Sequence, residues 1–253
     1  YASGRRGGNV TRHIGVMMSS TGGPLPRVVA TQWGTPMGTE IIFVRHGETA
    51  GNLDGRLHGR TDLPLTERGR LQAQRVAERL ADLADIRAIY SSPLQRARAT
   101  AETIGRRLAL TPTLLDDLME LNFGDMEGHT LQELRQQHPD LYARLMDSRD
   151  LDAGFPNGET RREFHARVGR ALDAFREMYA GSRLVIVSHL MVIGSGLAQL
   201  LTGDPNKWDK FMVANCSVTH VEIAPSGAVT LHCWNDISHL GKATEGTGWT
   251  LPS

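Results

Sequence analysis

The sequence has little cysteine, no excess of charge of either sign and no long apolar run, and each deficit excludes a class of protein. Its two cysteines, Cys216 and Cys233, lack C-x-x-C spacing, so neither a zinc ribbon nor a dithiol redox site is predicted. The formal net charge of +0 argues against nucleic acid or a membrane surface as the main partner. No apolar segment approaches bilayer-spanning length. We therefore expect a globular protein without a disulfide in a reducing, cytoplasmic setting.

The composition of the chain changes at about residue 38. Residues 1–38 are rich in Gly, Ser, Thr and Pro and begin with Tyr1, which indicates a flexible leader or an artificial extension. Arg5-Arg6 is not followed by an apolar core, so an export signal is not predicted. Residues 39–253 are predicted to form a single domain, long enough to bury a sizeable core.

Strands and helices are predicted to alternate after residue 39. Strands are expected at 41–44, 86–92 and 183–189, and the apolar runs at 41–44 and 183–187 are typical of a sheet covered on both faces. Helices are expected from Thr66, after Pro93, from Glu159 and from Leu190, and the first is given an apolar stripe of Leu71, Val76, Ala77 and Leu80. A hairpin is predicted around Ser226-Gly227. This order predicts an α/β fold, a three-layer αβα sandwich with a mostly parallel, doubly wound sheet.

Reactive side chains follow each of these strands. The first strand runs into Arg45-His46, the second leads to Arg96, and the third ends in His189. Because ligands of such sheets bind at the carboxyl ends of the strands, we expect these residues to share one cleft. Two guanidinium groups beside two imidazoles suit a phosphate-like anion, since the planar fork of arginine matches its oxygens.

An uncharged histidine in that cleft could attack phosphorus. Neighbouring arginines disfavour a second positive charge, so they keep an imidazole such as His46 neutral near pH 7. The arginines would also stabilise the charge on the transferring phosphoryl group. Glu120 follows the largely apolar stretch 114–119, in which four of six residues are Leu or Met, and a partly desolvated carboxyl there would serve as general acid for the leaving group.

Each residue has a simpler explanation when it is taken alone. A histidine after a strand is often structural, Arg96 could lie on a solvated helix face, and Glu120 could be a surface carboxylate. The joint occurrence of all of them at strand ends is what favours the catalytic interpretation.

The motifs resemble those of the histidine phosphatase superfamily, also called phosphoglycerate mutase-like. The matching segments are RHGET at 45–49 with Asn52, YSSPLQRARATA at 90–101, LMELNFGDMEG at 118–128 and VIVSH at 185–189. The resemblance implies that His46 is the phosphohistidine nucleophile and that Arg45, Arg96 and His189 grip the phosphoryl group. It further implies that Glu120 is the proton donor and then the base, that Asn52 contacts the phosphate, and that no metal or cofactor is needed.

Two positions depart from the family pattern. His58, which with Gly59 belongs to a segment that lines the substrate pocket in relatives, stands where they more often carry Gln or Thr. Leu190 stands where relatives usually have Gly after the second histidine, and it either narrows the pocket or adopts the same backbone angles. Both His58 and Leu190, like Gly59, are predicted to contribute to substrate binding.

The resemblance favours a phosphatase acting on small phosphorylated metabolites, closest to the broad-specificity branch. The GDMEG form, the CWNDISHL ending and a short segment before His189 favour hydrolysis, and phosphoglycerate mutase activity is the alternative. A metal-dependent hydrolase and a catalytically silent binding module stay open as less favoured interpretations. The predicted pocket cover is 121–165, whose apolar residues either favour an apolar leaving group or pack the cover onto the helices. No nucleic-acid or membrane partner is expected, and a homodimer is left open.

Overall fold

The computed structural model describes residues 38–241. The predicted leader, apart from its last residue Gly38, and residues 242–253 of the predicted domain lie outside the described residues. Within residues 38–241 no helix is both long and apolar enough to cross a bilayer. Cys216 is buried and Cys233 is half-buried, and both are free thiols.

The elements of the described chain follow the predicted alternation. The strands are β1 (Thr39–Arg45), β2 (Ile86–Ser91), β3 (Thr113–Leu114), β4 (Arg183–Ser188), β5 (Val218–Ile223) and β6 (Val229–Asp236). The helices are α1 (Glu67–Ala81), α2 (Gln95–Leu108), α3 (Leu131–Gln137), α4 (Pro139–Met146), α5 (Arg161–Met178) and α6 (Leu190–Thr202).

A single mixed sheet forms the middle layer. Its strand order is β3-β2-β4-β1-β5-β6. The first four strands of that order run parallel, whereas β5 and β6 form the predicted hairpin and β5 runs antiparallel to β1. The mostly parallel α/β sandwich predicted from the sequence is thus confirmed.

The alternation of side chains along β1 divides the core into two layers. Ile42 and Val44 pack with α1 and α2 on one face of the sheet, and Ile41 and Phe43 pack with α5 and α6 on the other. Successive residues of a strand point to opposite faces, so an unbroken apolar run is what a sheet needs when helices cover both sides.

The start of α1 is confirmed, but one member of its predicted stripe is wrong. Thr66 caps the helix by accepting a hydrogen bond from the Gly69 amide. Leu71, predicted to be buried, is 40% exposed. The buried face instead recurs every three or four residues from Gly69 through Ala73 to Leu80, and Leu71 lies off that face.

The segment after Glu120 contains two short helices in spite of its glycines and prolines. Thr130 and Glu133 form a capping box that starts α3, and Pro139 occupies the first turn of α4. The T-x-x-E spacing at 130–133 is the sequence signal for α3. These two short helices help to form the wall of the cavity described next.

Candidate active site

The register between β1 and β4 places the two predicted histidines side by side. Arg45 pairs with Ser188 across the parallel strands, so His46 and His189 are the residues that leave the sheet together. Their ring centroids are 5.1 Å apart. His46, Arg45, Arg96 and Glu120 line one cavity of about 180 Å³ beside the carboxyl ends of the strands.

His46 is held as a neutral imidazole with one free lone pair. Its Nδ1 lies 2.7 Å from the carbonyl oxygen of Gly47, which can only accept, so Nδ1 carries the proton. Nε2 is then the basic, nucleophilic nitrogen. Burial, together with the charges of Arg96 and Arg45, keeps the pKa of His46 well below its usual range.

Arg45 supplies a buried positive charge that the protein satisfies only in part. Its Nη1 donates to the carbonyl of Val213 at 2.7 Å. Its Nε is buried and has no hydrogen-bond partner within residues 38–241. A buried donor without an acceptor is costly, so an anion that reached this guanidinium would offset that cost.

His189 and Arg96 bind each other. The Nε of Arg96 donates to Nδ1 of His189 at 3.2 Å, so the proton of this imidazole is on Nε2, which donates to Ser92 Oγ at 2.8 Å. Burial and the adjacent Arg96 lower the pKa of His189 well below its usual range. In this arrangement both nitrogens of His189 contact protein atoms, and its ring packs against His46.

The remaining donors of Arg96 are directed at a loop, 58–61. Its Nη1 donates to the carbonyl of Thr61 at 2.9 Å, and Nη2 donates to the carbonyl of Gly59 at 2.8 Å. The amides of the same loop face the other way, toward Glu127, whose carboxylate accepts from Gly59, Arg60 and Thr61. The loop is therefore held between one carboxylate and one guanidinium.

Glu120 is a buried residue whose carboxyl group lies beside the first turn of α6. Its Oε1 accepts from the amide of Leu121 at 2.9 Å, and Oε2 accepts from the amide of Met191 at 3.1 Å. Burial raises the pKa of Glu120, and the two amide hydrogen bonds oppose that rise only in part. A carboxyl with a raised pKa is suited to deliver a proton to a leaving oxygen.

Asn52 turns its carbonyl oxygen toward the protein. Oδ1 accepts from the amide of Thr49 at 2.9 Å and from Nδ2 of Asn215 at 3.2 Å, so the amide nitrogen is the polar atom left to act in the cavity that Asn52 lines. Asn215 also donates to the carbonyl of His46 at 2.9 Å. The donor expected to contact phosphate is thus oriented by a second amide side chain.

The three predicted pocket residues outside the charged cluster have different positions. His58 lines the cavity. Gly59 is not part of the lining and packs against the carbonyl of Leu121, so any larger residue would clash there. Its amide donates a hydrogen bond to the carboxylate of Glu127. Leu190 is the first residue of α6 and lines the cavity, so a glycine is not needed at this helical position.

The sequence reasoning missed the residues that position these groups. Glu127 lies within the GDMEG motif and Asn215 precedes β5, but neither has a spacing that reveals its partner. Arg167 donates to the carbonyl of Glu120 at 3.0 Å and to both oxygens of Glu159. In the sequence it resembles any other arginine on the surface of a helix. Among residues 38–241, no His, Cys, Asp and Glu side chains form a group of three that could hold a metal ion.

Comparison with known proteins gives one consistent family. A sequence profile of the histidine phosphatase superfamily, branch 1, matches residues 41–237. Phosphoglycerate mutase-like protein 4 of Arabidopsis thaliana is 36% identical over 203 residues, covering 79% of this chain and 86% of the relative. The crystal structure of phosphoserine phosphatase from Entamoeba histolytica with 3-phosphoglyceric acid has a TM-score of 0.70 at 31% identity, covering 80% and 99%. The alpha-ribazole phosphatase of Shigella flexneri has a TM-score of 0.69 at 29% identity, covering 78% and 96%.

Proposed function

The chain belongs to the histidine phosphatase superfamily, and from that premise we propose that it hydrolyses small phosphomonoesters through a phosphohistidine at His46. One observation carries the proposal. The unprotonated Nε2 of His46 lies in the same cavity as the partly unsatisfied guanidinium of Arg45 and the buried carboxyl of Glu120. A nucleophile, an anion-binding group and a proton donor are the parts that phosphoryl transfer requires.

The first half of the reaction transfers the phosphoryl group to the protein. A bond forms between Nε2 of His46 and phosphorus while the ester P–O bond breaks. Glu120, whose raised pKa favours the protonated form, gives its proton to the leaving oxygen. Arg45 and the amide nitrogen of Asn52 donate to the equatorial oxygens. Arg96, whose nitrogens already donate to His189 and to loop 58–61, stabilises the same oxygens through its charge.

The second half returns the enzyme to its starting state. The Glu120 carboxylate takes a proton from water, the water oxygen bonds to phosphorus, and the P–N bond to His46 breaks. His189 holds Arg96 by accepting from its Nε, and it contacts the phosphoryl group directly only if that bond is exchanged. The amide of Leu190, at the start of α6, is a further donor available for the anion.

Replacement of His46 tests the mechanism. We expect His46→Ala to lose turnover of phenyl phosphate and to lose the acid-labile, base-stable phosphoprotein that the wild type forms with a radiolabelled ester. His138→Ala removes an exposed histidine at the start of α4 and should retain both properties. Unchanged hydrolysis by His46→Ala would exclude the proposed mechanism.

Phosphoglycerate mutase activity is the second candidate, and the mutase-like relative favours it. A mutase would isomerise 3-phosphoglycerate in the presence of the bisphosphate and would release little inorganic phosphate. For this protein we expect the rate of phosphate release from 3-phosphoglycerate to exceed the rate of its isomerisation. Both products can be measured in the same reaction.

A cytoplasmic location is part of this proposal, and the free thiols of Cys216 and Cys233 support it because they suit a reducing compartment. Fractionation of cells that make the protein would test it. The homodimer left open by the sequence stays a prediction, to be tested by sedimentation.

A further inference from the structure

The cavity is lined by apolar side chains as well as by the charged groups around His46. A set of the apolar ones comes from α3, α4, α6 and the segments beside them. The residues are Leu131, Leu145, Met146, Phe155, Met191 and Trp208. These side chains are available to contact the leaving group of an ester bound at His46.

The two arginines in this part of the lining are already engaged by the protein. Arg161 donates to the backbone carbonyls of Leu145 at 2.7 Å and Asp147 at 2.6 Å. Arg56 donates to the carbonyl of Gly128 at 2.6 Å and forms a 3.2 Å ion pair with Glu133. A second anionic group on the substrate would therefore have to compete with these acceptors for a positive partner.

Two further polar residues, His165 and Glu159, line the cavity without adding a free positive charge. His165 lines the cavity and binds Ser195 through Nδ1, and burial together with Arg161 lowers the pKa of His165 to about 4. It is therefore a neutral imidazole near pH 7. Glu159 also contributes to the lining, and its carboxylate is paired with Arg167, so it leaves no free charge of either sign there.

We propose that this cavity selects phosphomonoesters whose leaving group is uncharged and largely apolar, and rejects those that carry a carboxylate or a second phosphate. The inference rests on the proposed function of the same site. It follows because an apolar chain gains by leaving water for such a wall, while an anion would be desolvated without a free cation.

A matched pair of esters isolates the effect of charge. Hexyl phosphate and the phosphate ester of 6-hydroxyhexanoate have the same linkage and chain length and differ in the terminal carboxylate. We expect kcat/KM of the wild type to be at least about tenfold higher for hexyl phosphate. Along the series from methyl to hexyl phosphate, kcat/KM should rise by up to about fourfold per methylene until the cavity is filled.

Two tryptophan variants identify the wall that is responsible. Trp208→Ala should flatten the rise along the alkyl series. Trp234→Ala removes a tryptophan that is 45% exposed and outside the lining, and should leave the rise unchanged. Met146→Lys adds a cation at a half-exposed position of the wall and should shift the preference toward the carboxylate ester by about fivefold or more.

The outcomes separate this inference from the proposal beneath it. If methyl and phenyl phosphate are hydrolysed but the carboxylate ester is used as well as hexyl phosphate, the inference is overturned and the proposed function stands. A flat alkyl series in the wild type would overturn the inference in the same way. If no ester is hydrolysed, the proposed function fails and the inference falls with it.

Discussion

At the scale of single residues, Glu120 shows how the fold changes the chemistry of a common side chain. It is 7% exposed, and its two carboxylate oxygens are fixed by amides from Leu121 and Met191. Burial disfavours the charged form, so the carboxyl keeps its proton to a higher pH than a surface glutamate does. Its proposed role as a proton donor depends on that difference.

Loss of the proton donor should slow mainly the hydrolysis of esters whose leaving oxygen must be protonated. We expect Glu120→Gln to lower kcat/KM for hexyl phosphate by about 10²–10⁴-fold, the usual contribution of a general acid. 4-Nitrophenyl phosphate has a stable leaving group, so its loss should be at least about tenfold smaller. Steady-state kinetics with both esters test this, and equal losses would show that Glu120 is not the donor.

The raised pKa of Glu120 also predicts the shape of the pH profile. The acid is active while protonated, so kcat/KM for hexyl phosphate should fall as pH rises through the raised pKa of Glu120. For 4-nitrophenyl phosphate this decrease of kcat/KM with rising pH should be weak or absent. The measurement is kcat/KM against pH for both substrates, and parallel profiles would contradict the assignment.

At the scale of elements, the loop 58–61 connects two charges on its opposite sides. Glu127 accepts from its amides, and Arg96 donates to its carbonyls. A peptide unit has its N–H and C=O on opposite sides, so fixing the amides also fixes where the carbonyls point. Glu127 is therefore a positioning residue for Arg96.

Loss of this carboxylate should weaken anion binding without removing any group that touches the substrate. We expect Glu127→Ala to lower kcat/KM by about 10- to 100-fold, corresponding to about 1.5–3 kcal/mol for hydrogen bonds to a charged group. Vanadate affinity, measured by calorimetry, should fall in parallel. Asp125→Ala, an exposed change on the same segment, is the control and should alter neither value.

At the scale of the whole molecule, a buried ion pair joins three neighbouring strands at the end of the sheet away from the cavity. Glu40 on β1 accepts from Arg183 on β4 at 2.6 Å and bonds to His220 on β5 at 2.9 Å. Burial acts to raise the pKa of Glu40, but the bonds from His220 and Arg183 outweigh it and lower the pKa to about 2.

Because that pKa is lowered by folding, the pair stabilises the protein above the ordinary value of 4.5 and loses its effect as pH falls toward 2. We expect Glu40→Ala to reduce the free energy of unfolding by about 3–5 kcal/mol at pH 7, with a smaller difference at about pH 3. Urea unfolding at both pH values measures this. Glu102→Ala breaks an exposed pair with Arg98 and should cost less than about 1 kcal/mol. A deficit for Glu40→Ala that does not change with pH would argue against the ion pair as its source.

The sequence by itself determined the outline of this protein. An unbroken apolar run such as 41–44 can be stable only between two layers, and Thr66 marks a helix start by its side-chain chemistry. These signals are local, so a short stretch of sequence is enough to show them. The candidate site residues are also predictable, because each lies in a short motif that can be read from the sequence. They are Arg45, His46, Arg96, Glu120 and His189.

Tertiary structure alone decided how those residues work. The proton position on His46, the bond between Arg96 and His189, and the carboxylate of Glu127 behind the loop depend on how the folded chain places each group. The burial that raises the pKa of Glu120 and the apolar wall beside it likewise arise only when separate helices meet. Local patterns specify elements because backbone preferences act over a few residues, whereas charge, tautomer and cavity shape are properties of the packed whole.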